Sequence, residues 1–159
     1  VELVDGVFLL LLRRLVGEMT ETMMQADGIG LAAPQVGLSL RLAVIDMSGG
    51  EEPPLTLANP SVTWSSGETE EQEEGCLSIP DIRLNVRRPD SVSVCAFDMS
   101  GTAFAIERAE GLFARVLQHE IDHLDGILFV DRVSPLQRQL VASKLKKMSK
   151  EARATAPSA

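Results

Sequence analysis

Apolar residues recur at helical spacing over the first part of the chain. Val4, Val7, Phe8, Leu11, Leu15, Met19, Thr22 and Met23 predict one helix over Val4–Gln25. Leu9, Leu10 and Leu12 widen its apolar face, so the helix is expected either to be buried on most sides or to meet another chain. Gly28-Ile29-Gly30 ends it and opens a loop. The pattern then changes to short apolar runs divided by turn residues. Arg41–Met47 reads as a strand, followed by a Ser48-Gly49-Gly50 turn and a Glu51-Glu52-Pro53-Pro54 bend. Leu55–Ala58 and Ser61–Trp64 read as two strands either side of an Asn59-Pro60 turn. Glu68–Glu74 holds five acids in seven residues and reads as a solvated loop. Arg83–Val86, Ser91–Phe97 and Thr102–Ile106 read as further strands, with Asp98–Gly101 as a hairpin turn.

A second helix is expected over Gly111–Leu124, with Leu112, Val116, Leu117 and Leu124 on its apolar face and Gly126 closing it. Ile127–Val130 reads as a brief strand. Ser134 and Pro135 supply a cap and a first-turn proline for a last helix to Arg153. Leu136, Leu140, Val141 and Leu145 are expected to face inward, and Ala154–Ala159 to be a disordered tail. No internal repeat or linker appears, so residues 1–153 are expected to form a single domain.

Composition narrows the function. A chain of 159 residues can bury a real core in one domain. Aromatics are 4% with no Tyr, so that core must be aliphatic. The net charge of −8 argues against a general nucleic-acid binder, so no DNA partner is expected. The charge is uneven: from Asp131 onward there are seven basic and two acidic residues, leaving eight basic and twenty-one acidic before it. A basic tail on an acidic body suggests a polyanionic partner for the tail. The apolar run Val7–Leu12 has six residues, far below the roughly twenty that span a membrane. Cys76 and Cys95 do not form a disulfide framework. A reducing setting is the simplest reading, which means the cytoplasm or an organelle of bacterial origin.

Chemistry concentrates in Gln118-His119-Glu120-Ile121-Asp122-His123-Leu124-Asp125-Gly126, which contains both histidines of the chain. Residues four apart share a helix face, so His119 and His123 can offer two imidazole nitrogens to one metal ion. Glu120 stands beside them, where a carboxylate can take a proton from an activated water. A hydrolytic metal site needs a third protein ligand and one open position. The third ligand is a carboxylate or a thiolate, since no third His exists. Cys76, in Glu74-Gly75-Cys76-Leu77-Ser78, is the distinctive choice, against the alternative of an inert buried thiol. In Gly28-Ile29-Gly30-Leu31-Ala32-Ala33-Pro34-Gln35, small residues allow close backbone approach, and Gln35 can donate hydrogen bonds to a developing oxyanion. Asp122 reads equally as a group orienting the ligands or as a helix-surface carboxylate.

Gly28–Gln35, Glu74–Ser78 and Gln118–Leu124 resemble the three signature motifs of the peptide deformylase family, in the family's order, and the similarity runs from about Leu3 to Lys150. The resemblance implies an α+β fold, with antiparallel β-sheets packed around a central metal-binding helix and with an N-terminal and a C-terminal helix. It implies one divalent metal held by Cys76, His119 and His123, Fe²⁺ first, with Zn²⁺, Ni²⁺ or Co²⁺ as substitutes. The implied reaction removes the N-formyl group from the starting methionine of new proteins. Glu120 would then carry the proton, while the Gln35 amide and the Leu77 backbone N–H hold the oxyanion. Ile29, Gly30, Gly75, Leu77 and Arg83 would line the peptide path, with Val116 beside the methionine pocket.

Gln72 and Arg115 fall near the expected pocket mouth, where they alter substrate preference unless Arg115 simply reaches solvent. The expected partners are N-formylmethionyl peptides, and the ribosome through the basic C-terminal helix; neither membrane nor DNA is expected, and the chain should be a monomer or weak dimer. Two other readings stand beside this one: a zincin-type metallopeptidase, and a non-catalytic relative that binds formyl-peptides or ribosomes.

Overall fold

The computed structural model describes residues 6–155. The elements run α1 (Gly6–Gln25), β1 (Gly30–Ala32), β2 (Leu42–Ile45), β3 (Leu55–Ser65), β4 (Thr69–Cys76), β5 (Ile79–Pro89), β6 (Ser91–Phe97), β7 (Ala103–Glu110), α2 (Gly111–Leu124) and α3 (Pro135–Thr155). Short 3₁₀ turns occupy Ala33–Val36 and Phe129–Asp131. The fold is α+β, as expected. The chain forms two compact units: one runs through Glu70 and resumes over Arg88–Ile127, and the other joins Glu71–Arg87 to the chain from Leu128.

The first unit is built on an antiparallel five-stranded sheet of order β1-β2-β3-β6-β7. Strand β2 is buried at all four positions. Alternate side chains of a strand face opposite ways, so both faces of β2 are covered. Leu42 and Val44 meet Met19 and Met23 of α1, together with Leu12, Leu15 and Val16. Ile45 joins Leu57, Val92, Val94 and Ala96 against Ala114, Val116, Leu117 and Ile121 of α2. Two helices on two faces explain why Leu42–Ile45 is apolar throughout instead of alternating. Beyond β2, Asp46 closes the turn. Its Oδ1 accepts from the Ser48 N–H at 2.7 Å and its Oδ2 from the Gly50 N–H at 2.7 Å. The Ser48 hydroxyl and backbone N–H hold its carboxyl below the ordinary carboxylate range.

The second unit contains most of the two-stranded β4–β5 sheet and α3. Ile79, Ile82 and Val86 pack with Phe129 and Val130, and α3 adds Val141, Leu145 and Met148. Helix α3 starts where expected. The Ser134 hydroxyl accepts from the Gln137 N–H at 3.3 Å, and the Gln137 side chain accepts from the Ser134 N–H at 3.2 Å, a reciprocal capping box.

Several local expectations need correction. Glu68–Glu74 is not a loop but the start of β4. Charge density masked it: in a sheet with few neighbours most acids stay solvated while Glu74 turns inward. Asn59-Pro60 is not a turn between two strands. It is a bulge inside the continuous β3, where Ala58 opposes Phe97 but Ser61 opposes Cys95, and Asn59 takes φ 48°. Ile127–Val130 is not a strand; Phe129–Asp131 is a 3₁₀ turn, with the Asp131 carboxylate accepting from the Leu128 N–H at 3.0 Å. The Gly28–Gln35 loop contains the short strand β1, and β5 and β7 extend past the expected Arg83–Val86 and Thr102–Ile106.

The helix faces shift as well. On α1, Phe8 and Leu11 are more than half exposed, and on α3 so are Leu136 and Leu140. Leu112 of α2 is also exposed. Helix α3 continues to Thr155; the rest of the expected tail, and residues 4 and 5 of the expected first helix, lie outside the described residues. Among the described residues, no helix is long and apolar enough to cross a membrane.

Candidate metal centre

Helix α2 carries the histidines and is buried at nine of its fourteen positions. Its end is a Schellman motif: the Ile127 N–H bonds to the Asp122 carbonyl at 2.8 Å and the Gly126 N–H to the His123 carbonyl at 3.2 Å. Gly126 takes φ 74°, which a side chain would strain. Arg41 braces the same end, donating to the Leu124 carbonyl at 3.1 Å and to Asp125 at 2.7 Å. A cation there also complements the helix dipole.

His119 and His123 point together, as their spacing predicts. Their Nε2 atoms are 3.2 Å apart and the rings meet edge to face, with centroids at 4.9 Å. Two imidazole lone pairs at that separation repel unless a proton or a cation lies between them. Ligand arms of about 2.05 Å in tetrahedral array put neighbouring donor atoms about 3.3 Å apart. The observed spacing therefore fits a shared metal ion.

Glu120, 3% exposed, lies against β1. A Cβ at Gly30 would collide with the Glu120 carboxylate, reaching its Oε1 and coming within 2.8 Å of its Cδ. Glycine is required here by close approach and not by a positive φ. The neighbouring 3₁₀ turn fixes Gln35, whose Oε1 accepts from the Ala32 N–H at 2.8 Å. With that oxygen turned to the backbone, what the side chain can present is its NH₂ group. Ile29 is 41% exposed, while Val116 is buried in the cluster beneath α2.

Three further polar side chains of α2 are buried, and their partners could not be read from the sequence. Asp122 forms an ion pair with Arg88 at 2.8 Å, the two side chains 8% and 4% exposed. This settles Asp122 as a buried group and not a helix-surface carboxylate. Gln118 Nε2 donates to the Pro89 carbonyl at 3.0 Å. Arg115 does not reach solvent. It is buried, with Nη2 donating to the Glu70 carbonyl at 2.9 Å.

In the second unit, Gly75 and Cys76 end β4, and Leu77 sits exposed in the turn to β5. Cys76 is a half-buried thiol whose side chain borders the Ile79–Phe129 cluster; neither cysteine is in a disulfide. Arg83 is exposed, lies alongside Gly75 and stands 3.7 Å from Glu73. Gln72 is half-buried on β4.

Known proteins resemble this chain over most of its length. The polypeptide deformylase family description matches residues 7–139. A peptide deformylase of Acidobacterium capsulatum is 50% identical over 141 residues, covering 87% of this chain and 82% of that protein. One from Acinetobacter baumannii is 48% identical over 140 residues, covering 88% and 79%. The crystal structure of a peptide deformylase from Legionella pneumophila superposes with a TM-score of 0.81 at 46% identity, covering 99% of this chain and 89% of that one. One from Plasmodium falciparum gives 0.84 at 34% identity, covering 92% and 87%. The chain therefore belongs to the peptide deformylase family, metal-dependent hydrolases that remove the N-formyl group from newly made proteins.

Proposed function

We propose that this chain, as one catalytic domain over residues 1–153, removes the N-formyl group through a metal held by Cys76, His119 and His123. The observation that carries the reading is the paired imidazoles of α2 with Glu120 buried beside them under Gly30. Two imidazoles and a thiolate suit Fe²⁺, with Zn²⁺, Ni²⁺ or Co²⁺ as alternatives, because this donor set is borderline-soft. Held by these three residues, a divalent cation would supply Lewis-acid chemistry and make a water acidic enough to deprotonate near neutral pH.

Glu120 accepts the proton of the attacking water and returns it to the leaving nitrogen. The Gln35 NH₂ and the Leu77 backbone N–H stabilise the oxyanion. Gln35 is suited to that work because its own oxygen is already engaged by Ala32, so its donor end is oriented before substrate arrives. Ile29, Gly30, Gly75, Leu77 and Arg83 line the peptide path, and Val116 borders the methionine pocket. Formyl is the smallest acyl group, so a tight site rejects acetyl by clash.

Metal-loaded protein purified without oxygen is expected to release formate from formyl-Met-Ala-Ser and to leave acetyl-Met-Ala-Ser intact. Absence of formate would overturn the reading. The cellular setting we assign is the cytoplasm or an organelle of bacterial origin. On the basic helix α3 we place a ribosome contact, supported by the exposed Lys146, Lys150 and Arg153. Reversing these three charges should lower co-sedimentation with ribosomes and weaken its salt dependence; unchanged binding removes the assignment.

A further inference from the structure

Two α2 side chains that are not proposed metal ligands are held by consecutive residues, Gln118 by a backbone carbonyl and Asp122 by a guanidinium. Gln118 binds the Pro89 carbonyl at 3.0 Å and Asp122 binds Arg88 at 2.8 Å. Gln118 and Asp122 are four residues apart and so form one stripe along the helix. Each immediately precedes one of the two histidines. The anchoring stripe and the imidazole stripe are thus fixed about 100° apart around the axis. Whatever holds the first sets the direction of the second.

Apolar packing alone does this poorly. Ala114, Val116, Leu117 and Ile121 seat α2 on the sheet, but such contacts carry no direction. A 10° rotation of the helix sweeps an atom about 6 Å from its axis by about 1 Å. Metal–ligand distances tolerate only about 0.2 Å. Burying an arginine, an aspartate and a glutamine also costs desolvation that an apolar set would avoid, so stability is a weak reason for their presence.

We propose that Arg88 and Gln118 are positioning residues of the metal centre. Through the Arg88 guanidinium on Asp122 and the Pro89 carbonyl on Gln118, the rotation of α2 is locked and His119 and His123 are aimed. The inference rests on the assignment of those histidines as ligands.

The test uses Co²⁺ as the probe, in the full-length protein. The metal Kd is measured by chelator competition, the ligand-field absorption bands are recorded, and the unfolding temperature of the metal-depleted protein is taken. Arg88→Met with Asp122→Leu replaces the buried pair by apolar groups, which should restore a near wild-type unfolding temperature. A purely structural role ends there. A positioning role predicts a Kd weaker by roughly 10–100-fold and shifted bands in this double variant. Gln118→Met should move both readouts the same way by a smaller factor, and it decides alone if the double variant does not fold. Wild-type Kd and bands in both would overturn the inference. His123→Ala separates the two levels: loss of Co²⁺ binding supports the ligand assignment, whereas wild-type binding overturns that assignment and this inference with it.

Discussion

Replacing Glu120 by Gln is expected to slow formate release by roughly 10²–10⁴-fold, the usual contribution of a positioned acid–base group. Gln is nearly isosteric, so the buried space under Gly30 stays filled and α2 keeps its packing. Metal content should be unchanged, because the proposed ligands are the imidazoles and the thiolate. A fall confined to kcat with metal intact identifies a proton carrier. Loss of metal, or a rate within threefold of wild type, would assign Glu120 a different role. Gly30→Ala acts on the same carboxylate from the other side. A Cβ there collides with it, so Glu120 must move. A displacement near 1 Å in a catalytic group can cost about 10²-fold, and this variant too should keep its metal.

The largest stability effect is expected at Arg88. Its guanidinium and the Asp122 carboxylate are 4% and 8% exposed and 2.8 Å apart. Arg88→Met leaves that carboxylate buried without its cation, which costs about 3–5 kcal/mol. For a chain of this size, that lowers the melting temperature by roughly 6–20 °C. Adding Asp122→Leu should recover most of the loss, since the penalty is an uncompensated charge and not a missing contact. Calorimetry of the single and double variants separates these terms. Equal losses in both would place the stabilisation elsewhere in Arg88's surroundings.

The helix that carries both histidines was legible because three signals agree in one segment. Leu117, Ile121 and their neighbours give the helical period, the histidines repeat at four, and Gly126 marks the end. The histidine pair then met at the distance its spacing implies. The partners of the buried polar residues were not legible. Arg88 is 34 residues from Asp122, and nothing local in the sequence joins them. Arg115 was left between the pocket mouth and solvent for the same reason: its acceptor, the Glu70 carbonyl, is 45 residues away.

The β errors have a different origin. In β4 the acids hid a strand whose outer side chains are solvated. In β3 the Asn59-Pro60 pair has the chemistry of a turn but serves as a bulge. On α1, leucines at consecutive positions left the buried face ambiguous, and packing selected Leu12, Leu15, Val16, Met19 and Met23. Gly30 read as one of the small residues that allow close backbone approach, and the group that approaches it is the Glu120 carboxylate.

The assignment of Cys76 as the third ligand distinguishes this site from other metal hydrolases with two histidines on a helix. The most direct measurement compares wild type with Cys76→Ser after anaerobic purification, reading metal content and formate release on one preparation of each. Serine is a far weaker ligand than a thiolate for these ions. The account predicts one metal per chain in the wild type, and loss of metal and activity together in Cys76→Ser. Full metal occupancy with undiminished formate release in Cys76→Ser would contradict it.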